Sequence, residues 1–182
     1  MPRIPYPDPS TLSETARKIL AGSPLNIVRI GAHASPALFE AQGRLSYAIA
    51  DPEVLHPRIR EAAILRVGHL SNSEYELHHH RPLARAAGLG EAELEAIELQ
   101  AYDRLDSALA AVCRFADEVV CDLSPSDATL ADLRSQVSDR VVINLLLTIG
   151  CYMTVARLIA TTGIEPDVTA LDRLATAPGA DA

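Results

Sequence analysis

The sequence has no excess of basic residues, and this limits the partners open to the protein. Its 182 residues include 16 lysines and arginines against 24 aspartates and glutamates, for a formal net charge of −8. Nucleic-acid binding and adhesion to an anionic membrane surface both need positive charge to meet phosphate groups. We therefore expect neither a nucleic-acid partner nor a membrane partner, whereas small organic substrates remain open.

Cysteine is also scarce. The three cysteines, Cys113, Cys121 and Cys151, are an odd number and form no CxxC pair. This pattern predicts reduced thiols and a cytoplasmic location rather than a disulfide framework. The first residues, MPRIPYPDPSTLSE, contain no apolar run, so we expect no signal peptide there, and the prolines predict an extended arm.

An apolar stretch from Val141 to Ile164 is the only segment that resembles a membrane span. Arg140 and Arg157 enclose just 16 residues of it, and Asn144 interrupts them. A helix needs about 20 apolar residues to cross a bilayer. The stretch therefore predicts a buried core helix or an interface helix.

Alternating β-branched residues are rare, and helical periods dominate the sequence. We predict one all-α domain over residues 1–182, with an extended arm over 1–12, a core from about 13 to 174 and a disordered tail over 178–182. The predicted helices run from Pro36 to about Ala50, His56 to Leu70, Ser73 to Ala87, Glu91 to Glu98, Ser107 (as the cap) to Leu123, Ala128 to Val137 and Ser138 to Thr162.

Glu61 is the first candidate for chemistry. It shares a helix face with Ile64 and Leu65, at spacings of three and four residues. A carboxylate among apolar neighbours is partly desolvated, which would raise its pKa and suit proton transfer. The alternative is a surface glutamate paired with Arg58, since charged residues are rarely buried.

His80 is the second candidate, because Leu77 and Ala84 share its helix face. Glu76 lies four residues earlier and is expected to fix the tautomer of the imidazole. Such a histidine can act as a general acid or base; the alternative is a hydrogen-bonded core residue. Residues 78–80 are all histidine, but successive residues on a helix diverge by about 100°, so we predict no metal site.

The spacing of Glu61, Ser73, Glu76 and His80 resembles the signature of the carboxymuconolactone decarboxylase/AhpD-like superfamily. The segment LRVGHLSNSEYEL and the closing segment SDRVVINLLLTIGCYMTVARLIATTGIEPD are also similar to the family. The resemblance covers roughly residues 3–170. It implies a fold of antiparallel helices and a homo-oligomer, either a trimer or its multiple, or a dimer.

The departures from the family pattern concern its redox cysteines. In the alkylhydroperoxidase branch, a Glu is followed by CxxC and a His, with another His between the cysteines. Here Ser73 and Glu76 stand at the cysteine positions and Tyr75 at the intervening one. A serine cannot form a sulfenic acid or a disulfide, so the peroxidase cycle is absent at this site. The decarboxylase branch resembles this chain in having Glu at position 76 and His at position 80.

The resemblance implies a cofactor-independent lyase or isomerase that acts on a small carboxylated ring or lactone by acid–base catalysis. His80 is the expected general acid, oriented by Glu76 and tuned by Glu61. Further residues are expected to bind the substrate: Tyr75 and Ser73 as hydrogen-bond donors, and Arg66 or Arg81 as the partner of a carboxylate. The alternatives are a non-catalytic oligomer that binds a ligand and, third, peroxide reduction through a cysteine.

Overall fold

The computed structural model describes residues 2–23 and 25–167, and that part of the chain consists of helices and turns without a β-strand. The predicted all-α fold is thereby confirmed. The α-helices are α1 (Glu14–Gly22), α2 (Asn26–Gly31), α3 (Pro36–Ala50), α4 (Pro57–Leu70), α5 (Glu74–Ala86), α6 (Glu91–Leu99), α7 (Ser107–Asp122), α8 (Asp127–Gln136) and α9 (Asp139–Thr162). Short 3-10 turns occupy Pro9–Thr11 and Tyr102–Arg104.

Each of the seven predicted helices is present, within a residue or two of its predicted ends. The predicted cap of α7 is wrong, because Asp106 rather than Ser107 precedes the helix and accepts a 2.8 Å hydrogen bond from the amide of Leu109. Helices α1 and α2 were not predicted, since they are short. The predicted disordered tail lies outside the described residues.

Helix α4 lies at the centre of the fold. Every residue from Glu61 to Gly68 is buried, because α5, α6, α7 and α9 all pack against it. Ala63 and Val67 face α7 and α9, whereas Leu65 faces α5, α6 and α7. A helix buried on all sides must contribute its polar groups to internal contacts, so its charged residues are the first place to look for a site.

The turn between α4 and α5 makes the two helices an antiparallel pair. Asn72 adopts a left-handed backbone with φ of 49°, a conformation that asparagine tolerates better than most residues. Near this turn, a Cβ atom added to Gly68 would lie 3.0 Å from Leu77 Cδ2. Glycine therefore allows α4 and α5 to approach closely where the candidate residues lie.

Helix α9 is the one described helix that is long and apolar enough to cross a membrane, by length and composition only. Core helices of soluble proteins have the same character. Here Leu145 and Ile149 pack into the core with α4 and α7, which fits the predicted core helix. The opposite face is exposed, with Ile143 and Leu147 at the surface.

Helix α3 is loosely attached. Only Phe39 and Ile49 are buried along its 15 residues. The side-chain amide of Gln42 donates a 3.2 Å hydrogen bond to the sulfur of Cys151 on α9. Helix α3 thus lies against α9 with most of its surface open to solvent.

Candidate active site

Glu61 and His80 form a hydrogen-bonded pair that links α4 to α5. Oε2 of Glu61 lies 2.8 Å from Nδ1 of His80, and Glu61 is only 1% exposed. Its other carboxylate oxygen accepts a 2.9 Å hydrogen bond from Nε of Arg60. Arg60 also donates to the carbonyl oxygen of Ala50, at the end of α3, at 2.7 Å. The pair is therefore buried and held from three helices.

This geometry corrects the expectations for Glu61. It is not a surface residue paired with Arg58, because Arg58 pairs with Glu93 and Asp106. The expected burial is confirmed, but the expected rise in pKa is wrong. Burial acts to raise the pKa of Glu61, and the hydrogen bonds and charges of His80 and the neighbouring guanidinium outweigh it and hold the pKa below its ordinary value. Glu61 is an ionised partner of the histidine.

Glu76 is the second buried carboxyl group, only 2% exposed. It was expected to orient His80, but the ring nitrogen Nδ1 bonds to Glu61 instead. Neither carboxyl oxygen of Glu76 has a hydrogen-bond partner among the described residues. Burial raises the pKa of Glu76 to about 8, against a lowering contribution from the Ser73 hydroxyl. Glu76 is therefore mostly protonated at neutral pH.

The two residues expected to donate hydrogen bonds to a substrate have different surroundings. The hydroxyl of Ser73 is buried and has no hydrogen-bond partner of normal geometry among the described residues. The hydroxyl of Tyr75 donates to the carboxylate of Asp167 and accepts a 3.2 Å hydrogen bond from the amide of Ile27. Burial raises the pKa of Tyr75. Ser73 thus remains a candidate beside Glu76, whereas Tyr75 connects α5 to α2 and to the segment after α9.

The two arginines expected to bind a substrate carboxylate differ in their surroundings. Arg66 is 1% exposed, and it donates to Asp117 at 2.8 Å and to the carbonyl oxygen of Ile97 at 2.7 Å. Arg81 lies 3.7 Å from Glu98 and lines a surface cavity of about 160 Å³. Arg66 is therefore committed to contacts within the protein, whereas the role expected of Arg81 stays a prediction.

The three consecutive histidines do not converge on one partner, because His78 and His79 both reach Asp167 and His80 does not. His80 meets Glu61, whereas Nε2 of His79 lies 3.3 Å from the Asp167 carboxylate and Nε2 of His78 lies 3.2 Å from the Asp167 carbonyl oxygen. Among residues 2–23 and 25–167, no three His, Cys, Asp or Glu side chains converge as a metal site.

Two residues of α9 that the sequence did not single out complete the surroundings. The ring of Tyr152 stands edge-on to the ring of His80, with centroids 5.0 Å apart. Burial, together with the charge of Glu61, raises the pKa of Tyr152. Cys151 contacts Gln42 on the adjoining side. No sequence signal could have found them, because α9 is apolar on nearly all sides and its pattern does not show which face meets α4 and α5.

The thiols are poor candidates for peroxide chemistry. All three cysteines are free. Burial raises the pKa of Cys113 to about 12 and also raises the pKa of Cys151, whereas Cys121 is exposed. The thiolate is the reactive form of cysteine, so the two buried thiols are held in their unreactive form near neutral pH.

Glu61, Glu76 and His80 all lie near Tyr152 of α9, and both carboxyl groups are nearly inaccessible to solvent. Tyr152 lies within electrostatic range of both Glu61 and Glu76, and His80 shares a face of α5 with Glu76. Two surface cavities, of about 260 and 160 Å³, lie elsewhere, and of the candidate residues only Arg81 lines one of them. Leu65 and Leu77, on the same two helices as the pair, are packed in the core. A ligand therefore reaches Glu76 only if a covering element moves.

Comparison with solved structures shows the fold. The chain is similar to the AhpD core of an uncharacterised peroxidase-related protein from Ralstonia eutropha JMP134, with a TM-score of 0.76 and 16% identity over 91% of this chain and 92% of that one. It is also similar to a protein of unknown function from Agrobacterium tumefaciens that carries the AhpD name, with a TM-score of 0.67 and 20% identity over 76% of this chain and 96% of that one. No curated protein matches the sequence significantly.

A family model adds sequence evidence to the likeness of fold. Residues 36–118 match the carboxymuconolactone decarboxylase family. This segment contains α3 to α6 and most of α7, and it includes Glu61, Ser73, Glu76 and His80. The sequence likeness to this family therefore covers residues 36–118, a segment that contains no CxxC pair.

Proposed function

We propose that the protein is a cofactor-independent lyase or isomerase that acts on a small ring or lactone by acid–base catalysis. One observation carries this proposal: Glu61 and His80 form a hydrogen bond, and Glu76, one helical turn before His80 on α5, is a buried carboxyl group whose oxygens have no partner of normal geometry among the described residues. Many active sites contain two carboxyl groups whose surroundings give them different pKa values. At neutral pH one is then an acid and the other an anion, and this difference indicates the role of each.

The geometry gives each group a role. Because the Glu61 carboxylate meets Nδ1 of His80, that nitrogen carries the proton and Nε2 is left to exchange protons with a substrate. Loss of CO₂ from an unsaturated lactone acid breaks a C–C bond and leaves the electron pair in an enolate. His80, carrying a second proton on Nε2 in its imidazolium form, would donate that proton to the enolate carbon and regain one from solvent, while the acid form of Glu76 donates a hydrogen bond to the enolate oxygen.

The direct test is turnover of a panel of unsaturated lactones with and without a carboxyl group, measured as CO₂ release or as migration of the double bond. We expect that His80→Gln and Glu61→Gln each lower the rate by about 10²-fold or more, the usual scale for general acid–base groups. His33→Gln is the matched control, because His33 is exposed and contacts the N-terminal segment. Full activity in His80→Gln would refute the assigned role.

A non-catalytic ligand-binding member is the second candidate. It is favoured by the closed surface, since the Glu76 oxygens and the Ser73 hydroxyl are inaccessible to solvent. In that case the Glu61–His80 pair is a structural contact, and the folded protein turns over none of the panel. Peroxide reduction is not proposed, because the environments of Cys113 and Cys151 disfavour a thiolate.

We also propose a cytoplasmic homo-oligomer. The free state of all three cysteines supports a reducing compartment. The exposed apolar residues of α9, which include Leu146 and Leu147, support self-association.

A further inference from the structure

Three buried polar atoms near the start of α5 have no hydrogen-bond partner of normal geometry in the described part of the chain, although the Ser73 hydroxyl is close enough to Glu76 to lower its pKa. They are Oγ of Ser73 and both carboxyl oxygens of Glu76. Ser73 immediately precedes α5, and Glu76 lies in its first turn. Most buried polar groups in proteins are hydrogen-bonded, so adjacent exceptions point to a ligand that satisfies them.

The cations of this region are already engaged. Among the described residues, the arginines of α4 each meet a carboxylate: Arg58 meets Glu93 and Asp106, Arg60 meets Glu61, and Arg66 meets Asp117. Arg81 on α5 faces Glu98 at the rim of a separate cavity. A ligand carboxylate beside Glu76 would therefore find no uncommitted arginine on these helices, and it would face the ionised Glu61.

The hydrogen-bonding groups of Ser73 and Glu76 suit a ligand that presents an uncharged oxygen atom. Glu76 is a carboxylic acid at neutral pH, because burial raises its pKa to about 8. A carboxylic acid and a hydroxyl can each donate one hydrogen bond, and a carbonyl oxygen accepts two. The loosely attached α3 lies on one side of this region, where the exposed Gln42 contacts Cys151, and Cys151 lies within electrostatic range of Glu76.

We infer that the site accepts a neutral cyclic ketone or lactone, whose carbonyl oxygen binds Ser73 and Glu76, and isomerises it by proton transfer. This inference rests on the proposed acid–base function and narrows it. His80 removes a proton from the carbon next to the carbonyl group. The C–H electron pair forms a C=C bond, and the carbonyl π pair moves to the oxygen that Glu76 and Ser73 hold. The same proton then returns to another carbon of the conjugated system, so no oxidant or reductant is needed.

Binding to the full-length protein tests the recognition. Cyclohexanone is the neutral probe and cyclohexanecarboxylate the matched anion, and both are titrated by NMR at about pH 6.5 and pH 9.5. We expect cyclohexanone to bind roughly tenfold more tightly than the carboxylate at the lower pH. Its affinity should fall severalfold at the higher pH, because Glu76 then loses its proton.

Substitutions of Glu76 and Ser73 test whether these two side chains bind cyclohexanone. Glu76→Gln should keep the affinity for cyclohexanone and remove its pH dependence, since the amide is a neutral donor throughout. Ser73→Ala should weaken binding at both pH values, and His33→Gln should leave it unchanged. Tighter binding of the carboxylate, a pH-independent affinity in the unaltered protein, or binding of neither ring would overturn the inference.

A turnover assay separates this inference from the proposed function. Isomerisation of cyclohex-3-en-1-one to its conjugated isomer is followed by the rise in ultraviolet absorbance. Selective binding of cyclohexanone without isomerisation would leave the recognition intact and refute the acid–base role. Turnover of lactone acids, combined with a preference for the carboxylate probe, would uphold the acid–base role and refute the recognition of a neutral ring.

Discussion

At the residue scale, Glu61 and Glu76 are buried to a similar degree, yet their pKa values move in opposite directions. Glu61 has His80 and Arg60 as partners, and these outweigh its desolvation. Glu76 has no such partner in the described chain, so its desolvation prevails. The same residue type is thus an anion at one position and an acid at the other, and what differs is the set of neighbours.

The melting temperature of the protein should change with pH as Glu76 gains or loses its proton. The pKa of Glu76 is raised from 4.5 to about 8, so its contribution is fully present below about pH 4.5 and is lost as the pH rises through about 8. Glu76→Gln mimics the protonated form. The variant should melt close to the unaltered protein at pH 5 and several degrees above it at pH 9. Thermal unfolding by circular dichroism measures both, and equal pH dependence in the two proteins would exclude a buried, titrating Glu76.

The Glu61–His80 contact should stabilise the folded protein more than a surface ion pair does. Removing one partner leaves a buried polar group unsatisfied, so Glu61→Gln or His80→Gln should each cost about 2–4 kcal/mol in the free energy of unfolding. Because the pKa of Glu61 is lowered, the stability from this contact is present above about pH 4.5 and is lost as the pH falls through the folded-state value.

Glu93→Gln is the control for this pair, since Glu93 meets Arg58 at a partly exposed site and should cost about 1 kcal/mol or less. Urea denaturation of both single variants and the double variant gives the coupling energy. Additive effects in the double variant would show that the two side chains do not interact in solution.

The sequence predicted which way these residues face, but it did not predict which residue His80 bonds to. Helical spacing placed Glu61 and His80 on inward faces, and the structure confirms both as buried or partly buried residues. It did not identify the bond between them, because Glu76 at i−4 was nearer in sequence than Glu61, which is 19 residues away. Partners on different helices depend on how the helices cross, and periodicity carries no information about that.

At the element scale, α4 and α3 are opposites. Helix α4 is buried on all sides and carries the site, whereas α3 is exposed along most of its length and lies over Cys151. The sequence predicted the bounds of both helices to within a residue or two, through proline at the first helical position and Asp51 after the last. It could not predict that α3 packs weakly, because its leucines and alanines are compatible with either a core face or an exposed face.

The exposure of α3 leads to a prediction about thiol reactivity. Cys121 should react with iodoacetamide fastest because it is exposed, Cys113 slowest because it is fully buried, and Cys151 at an intermediate rate set by opening of α3. Gln42→Ala removes the hydrogen bond to Cys151 and should raise its rate roughly fivefold, the equivalent of about 1 kcal/mol.

Mass spectrometry of the labelled peptides measures the three rates in one sample. Glu40→Ala is the matched control, because it removes only a surface ion pair within α3. A Cys151 rate equal to that of Cys113 in every variant would show that α3 does not open.

At the scale of the whole molecule, α9 presents an apolar stripe that the described chain leaves uncovered. Ile143, Leu146 and Leu147 have the spacing of one helix face, and they are 55%, 42% and 56% exposed. The sequence predicted that α9 is apolar on more sides than a small domain can hide. The sequence did not predict which side of α9 faces the core. The structure shows that this side carries Leu145 and Ile149, which pack against α4 and α7.

The stripe should be covered by a second copy of the chain. Light scattering at micromolar concentration should therefore give a multiple of 19.5 kDa. Leu147→Glu places a charge in the stripe, where burial against another copy would cost several kcal/mol, and it should shift the protein to the monomer. Leu123→Glu is the matched control, because Leu123 is 89% exposed at the end of α7 and should leave the mass unchanged. A mass of 19.5 kDa for the unaltered protein would show that the stripe remains open to solvent.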